Sequence, residues 1–154
     1  MVESLFTWLG GTAPGQFLAG STAAFATTEA LHIVGLAVVG GVILVIDLVA
    51  LGITSRELRA GTLIDQLSGL FYGALALTAI TGVMLVAAGP YKYYTNPLFP
   101  VKLVLLVAAL ILQITFRRRL VPLQGPDRLS RLLASTSLLL WTGVVVTGRW
   151  LGLI

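Results

Sequence analysis

The chain has 154 residues, 57% of them hydrophobic and 10% charged, with a formal net charge of +4. Soluble domains average about 25% charged residues, so this composition and a mean hydropathy of +0.98 point to an integral membrane protein with no room for a second, soluble domain. The absence of cysteine excludes disulfides, iron–sulfur clusters, thiolate zinc sites and thiol catalysis.

The N-terminal segment, residues 1–20, lacks a basic n-region, and glycine and proline break its apolar pieces. No cleaved signal peptide is expected. Residues 4–9 read as a short helix on the membrane surface, with Phe6 and Trp8 in the interface; Gly10, Gly11, Pro14 and Gly15 are expected to end it.

From Gln16 to Thr54 the only charged residues are Glu29 and Asp47. As straight helix this stretch would run about 58 Å at 1.5 Å per residue, whereas about 20 residues cross a bilayer core of about 30 Å. The first span is therefore placed near 30–52, with a turn or more of helix protruding before it. The second is read at about 67–88 and stopped by Gly89-Pro90. Gly69 and Gly73, and Ala74, Thr78 and Gly82, have the small-residue spacing that lets helices approach closely in lipid. YKYYTNPLFP reads as an interfacial loop. The third span is about 99–116 and the fourth about 132–153, where small residues recur at Gly143/Thr147 and Gly148/Gly152.

The first and third connections hold Arg56, Arg59, Arg117, Arg118, Arg119, Arg128 and Arg131, and the second holds only Lys92. Cytoplasmic loops carry the Lys/Arg excess. The expected fold is thus an all-α, four-transmembrane-helix bundle, a single membrane domain with both termini on the outer side. The positive charge orients the protein in the lipid bilayer and is no nucleic-acid footprint.

This topology brings Glu29, His32, Lys102 and Arg149 to a similar depth near the outer boundary, from three different helices. Glu29 and His32 are three residues apart, hence on one helix face. Tyr91, Tyr93, Tyr94 and Trp150 would surround them. Ionisable groups inside a span are expensive and mark functional sites by default. Each also has a plainer role open to it: Lys102 and Arg149 as cations snorkelling to headgroups, Glu29 in a register-fixing ion pair, His32 as a satisfied polar residue, and the aromatics as an interfacial belt. Asp47 lies about 22 Å further along the helix. It could pair with Arg56 or Arg59, hydrogen-bond a helix terminus, or stand on a proton or ion path filled by Gln113, Thr78, Thr81 and Thr142.

Three sharper readings follow from the outer cluster. Glu29 and His32 have the Glu-x-x-His spacing of diiron bundles, but no further carboxylates stand at that end. His32 could be the axial ligand of haem b; with one histidine in the chain, the iron would be five-coordinate, or its second ligand would be Lys102 or come from a second copy. The cluster could instead hold a quinone head group or a carboxylate, with His32, Lys102, Arg149 and Tyr94 as partners and Glu29 as proton acceptor. No Gly-x-Ser-x-Gly elbow and no phosphate-cradling glycine loop occurs, and no catalytic residue is assigned.

ALHIVGLAVVGGVILVIDLVALG, YYTNPLFPVKLVLL and WTGVVVTGRWLG, with Leu31-His32, Gly35, Asp47, Tyr93-Tyr94, Asn96-Pro97, Phe99, Lys102 and Gly148-Arg149 as the matching positions, resemble a family of small bacterial four-helix membrane proteins of unknown function. Its layout is in turn similar to copper-resistance D-type proteins and cytochrome-b-like bundles. The resemblance implies a multi-pass protein of the bacterial inner membrane. It also implies a histidine after the third span, where this chain has Phe116-Arg117-Arg118, so a bis-histidine haem within one chain is not expected. The leading expectation is a small-ligand or redox-cofactor site at the outer cluster. A small oligomeric transporter or channel, and a structural accessory subunit, stand as alternatives, with a homo-oligomer or a larger membrane complex expected.

Overall fold

A computed structural model describes residues 2–54, 60–120 and 127–153. Within them the chain forms seven helices and no strand: α1 (Val2–Gly10), α2 (Ala13–Gly20), α3 (Thr22–Leu51), α4 (Ala60–Ala88), α5 (Pro90–Thr95), α6 (Leu98–Leu120) and α7 (Arg128–Leu153). Four of these, α3, α4, α6 and α7, are long and apolar enough to cross a membrane. The connections that hold Arg56 and Arg59, and 121–126, lie outside the described residues.

Most boundaries have a local cause. Thr12 accepts the Gly15 N–H at 3.4 Å and starts α2. Pro14 and Gly15, expected as breakers, sit in the first turn of α2. A proline there lacks only an N–H that would have no helical partner anyway, so it starts a helix rather than ending one. Ser21, extended at φ −136° and ψ 107°, separates α2 from α3 and accepts the Ala24 N–H at 3.3 Å. Gly52 ends α3 in the left-handed conformation, φ 77° and ψ 21°, which glycine adopts without a Cβ penalty. Pro90, read as part of a helix stop, opens α5, which runs into the segment read as a loop. Asp127 and Ser130 cap α7 reciprocally: the Ser130 N–H donates to Asp127 Oδ1, and the Asp127 N–H donates to Ser130 Oγ.

α3 packs against α4 and α7, and α6 packs against α7. α3 turns Gly35, Val39, Val42, Ile43, Ile46, Asp47 and Ala50 inward at three- and four-residue spacing. α7 answers with Ser130, Ala134, Ser137, Trp141, Val144 and Leu151. The closest approach is at Gly35, where a Cβ would run into the Thr78 hydroxyl. Gly82 and Gly148 likewise admit the side chains of His32 and Lys102, whereas Gly69 and Gly73 meet no neighbour. Two ends can be told apart. One carries α1, α2, α5 and Tyr91, Tyr93 and Tyr94; the other carries Arg117, Arg118, Arg128 and Arg131. They are called the tyrosine end and the arginine end below.

Candidate functional site: a half-buried histidine at the tyrosine end

His32 projects from α3 towards α4. Its Nδ1 stands 3.0 Å from Thr81 Oγ1, and the edge of its ring lies over Gly82, where a Cβ would come within 3.1 Å of Cε1. Thr81 settles the tautomer through its own bonds. Its hydroxyl hydrogen is directed to the Leu77 carbonyl at 2.7 Å, with the Thr78 carbonyl at 3.2 Å. A hydroxyl has one hydrogen, so at the 3.0 Å contact the imidazole is the donor. In the neutral ring this network assigns the hydrogen to Nδ1. Nε2 then keeps its lone pair, and no described residue bonds to it.

Lys102 lies at the same end, on α6. Its side chain lies over Gly148 of α7, with Nζ 3.3 Å from where a Cβ would stand. Lys102 and Glu29 are both near enough to act on His32 through space. Glu29, which is exposed, also acts on Tyr93. Burial first, and the Glu29 carboxylate second, push the Tyr93 hydroxyl above the ordinary tyrosine range. All four long helices thus contribute: α3 through His32 and Glu29, α4 through Thr81 and Gly82, α6 through Lys102, and α7 through Gly148.

Aromatic packing covers this end. Tyr93 meets Phe99 at 5.5 Å between ring centroids, Phe99 meets Phe6 at 5.8 Å, and Phe6 meets Tyr94 at 5.8 Å. α1 is thereby held against α5 and the start of α6. Lys92 on α5 donates to the Gly152 carbonyl at 3.4 Å, tying α5 to the end of α7.

The other candidate residues lie apart from His32. Arg149 is exposed, and among the described residues it makes no hydrogen bond or ion pair. Tyr94 lines an open groove of about 420 Å³ together with Glu3, Phe6, Gln16 and Tyr91; Tyr93, not Tyr94, is the tyrosine coupled to Glu29. No three of His, Cys, Asp and Glu come together as a metal site among the described residues, so the Glu-x-x-His spacing gains no further carboxylate. Asp47 is 0% exposed and sits about 22 Å along α3 from His32. Between them lie Val39, Val42 and Ile43, in one apolar cluster with Phe71, Ala74, Ala109 and Val144. Thr142, a candidate stepping stone, is exposed.

Residues 3–154 match a family of unknown function, DUF6644. The chain belongs to this family. No curated protein and no solved structure matches it, and the likeness to copper-resistance D-type and cytochrome-b-like bundles has no counterpart in these comparisons. Every residue of the His32 cluster falls inside the DUF6644 match, and the functional reading rests on the cluster's own chemistry.

Proposed function

We propose that the protein is a multi-pass bundle of the bacterial inner membrane, termini outward, that binds a lipid-soluble quinone or quinol at the His32 cluster and serves electron transfer. One observation carries this reading: His32 Nδ1 stands 3.0 Å from Thr81 Oγ1, whose own hydrogen is directed to the Leu77 carbonyl, and among the described residues no hydrogen bond to Nε2 is seen, while Lys102 is near enough to act on the ring. A bare imidazole nitrogen accepts a hydrogen bond from a quinol hydroxyl, and an ammonium donates to a quinone carbonyl. Glu29 is the proton acceptor next along, and the aromatic layer of Phe6, Tyr93 and Phe99 limits water at this end.

The same histidine supports a second reading. Metal-ligating histidines nearly always donate their other ring N–H to an oxygen, as His32 does to Thr81. A haem iron at Nε2 would fit that pattern, with the opposite ligand supplied by Lys102 or a second copy of the chain. Gly69 and Gly73 on α4, free of neighbours within the chain, are where a second copy or a partner subunit would approach closely.

Visible spectroscopy of the purified protein, as isolated and after dithionite, separates the two readings, and organic extraction with quantification of quinone completes the test. Quinone that co-purifies with wild type and is lost in His32→Ala and Lys102→Met, without a Soret band, is the expected result. A Soret band that shifts on reduction and vanishes in His32→Ala establishes haem instead. Neither ligand, or one indifferent to His32, overturns the site.

A further inference from the structure

Asp47 is fully buried in α3, and neither of its carboxylate oxygens has a hydrogen-bond partner. A carboxylate without a partner in a low-dielectric interior is strongly disfavoured. Its surroundings are nevertheless polar on one side. Ser137 of α7, 1% exposed, is near enough to act on it. The Ser137 hydroxyl, however, donates to Gln113 Oε1 of α6 at 3.3 Å and leaves the carboxylate unsatisfied. Gln113 is also 1% exposed, and its Nε2 has no partner, nor does Trp141 Nε1 one turn beyond Ser137. Three helices therefore bring a carboxylate, a hydroxyl and an amide to one buried place where hydrogen-bonding capacity remains unused.

Among the described residues no countercharge fills it. The ionisable groups on the elements around this end are Asp65 on α4, Arg117 and Arg118 on α6, and Arg128 and Arg131 on α7. Arg117 is turned to α4, its guanidinium carbon 4.0 Å from the centroid of the Phe71 ring; the other four are exposed. None acts on Asp47.

We propose that Asp47, Ser137 and Gln113 form a buried binding site for a small hard cation, either a proton or a sodium ion. The donor set is chemically suited to one. A carboxylate supplies the charge, the serine hydroxyl a second oxygen, and the Gln113 amide a third through Oε1, in the orientation that turns its oxygen rather than its NH2 to the cation. Intramembrane acids in such settings mark ion and proton sites. The arginine end is the nearer one: Asp47 stands five residues before Gly52, about 7.5 Å along the helix, with Ala50 and Phe116 packed on that side, whereas Val39, Val42 and Ile43 lie between Asp47 and His32. This site is independent of the His32 reading and stands or falls without it.

Labelling of the full-length protein in lipid nanodiscs with dicyclohexylcarbodiimide, which modifies carboxyl groups in apolar surroundings, tests the proposal by peptide mass spectrometry. Labelling at Asp47 that slows at least threefold with sodium chloride, relative to choline chloride, identifies sodium. Labelling that falls as pH rises, with no response to sodium, identifies the proton. Ser137→Ala and Gln113→Leu should shift that sodium or pH dependence at least threefold, which a merely structural role would not do. Asp47 left unlabelled at every pH with thermal unfolding indifferent to sodium, or labelled with no response to sodium or pH, overturns the site.

Discussion

The two polar places in this molecule are built in opposite ways. At the tyrosine end His32 is half-buried, one ring nitrogen is bonded to Thr81, and charged groups from α3 and α6 act on it. Towards the arginine end Asp47 is fully buried, with no well-formed hydrogen bond to its oxygens and only the Ser137 hydroxyl near enough to act on them. On the readings proposed above, a group that is held but left half open suits a sizeable ligand arriving from outside, and a group sealed in and unsatisfied suits something the size of an ion. The difference comes from what faces each residue across the helix contact: Thr81 and Gly82 from α4 for His32, and Ser137 of α7 with Gln113 of α6 for Asp47.

The most drastic way to break this contrast is at Gly35, which lies between the two places on α3 and touches α4. Gly35→Leu forces α3 and α4 apart, because a side chain there runs into Thr78. Overpacking of this kind costs about 1–3 kcal/mol and sometimes more. Thermal unfolding in detergent should show a clear loss of stability, with loss of ligand as a consequence. His32→Ala is next in effect: bound quinone falls at least tenfold while the helical circular dichroism is kept. Thr81→Val makes His32 resemble Asp47 by leaving its Nδ1–H without an acceptor. An unsatisfied buried donor costs about 1–3 kcal/mol, and removing a group that orients a ligating or bonding histidine lowers affinity about 10- to 100-fold. Ligand titration against wild type measures that loss.

Two smaller effects sharpen the comparison. Asp47→Asn should leave ligand content at His32 within about twofold, and its stability effect should add to that of His32→Ala within about 0.5 kcal/mol, as for distant sites without shared partners. Coupling larger than that would mean the apolar cluster between them transmits more than its packing suggests. Tyr93 offers the finest probe. Its raised pKa means that the folded state holds the phenolic proton more tightly than the unfolded chain. Its contribution to stability is therefore full below about pH 10, the ordinary tyrosine value, and lost as pH rises through the folded-state value. Glu29→Gln should lower the pH of Tyr93 ionisation part of the way only, since burial is the larger cause. Ultraviolet titration of phenolate absorbance against Tyr93→Phe reads this.

The long apolar runs made the four candidate spans legible, because nothing but a membrane or a large core accommodates them. Their starts were less legible. Thr22–Glu29 and Ala60–Gln66 are mixed in polarity and extend α3 and α4 beyond any apolar stretch. α2 and α5 were hidden because proline was read as a breaker where it opens a first turn. The shared depth of Glu29, His32, Lys102 and Arg149 could be read from chain direction alone. Helix rotation could not, and it separates inward His32 and Lys102 from exposed Arg149 and directs Tyr93 rather than Tyr94 to Glu29. The Ser137–Gln113 pair left no spacing signal, being two uncharged residues on different helices. The alternation of Ser130, Ala134, Ser137 and Trp141 at four and three residues was the one trace of a polar residue on the buried face.

The apolar cluster of Val39, Val42, Ile43, Phe71 and Val144 has an electrical meaning. In a membrane it is a dielectric layer, and the transmembrane voltage falls mainly across such layers, at about 2.3 kcal/mol per unit charge for each 100 mV crossed. If the proposed site is filled from the nearer, arginine end, a cation reaching Asp47 crosses little of that layer. Its occupancy is then nearly blind to voltage, and charge bound at Asp47 stays electrically insulated from whatever His32 holds.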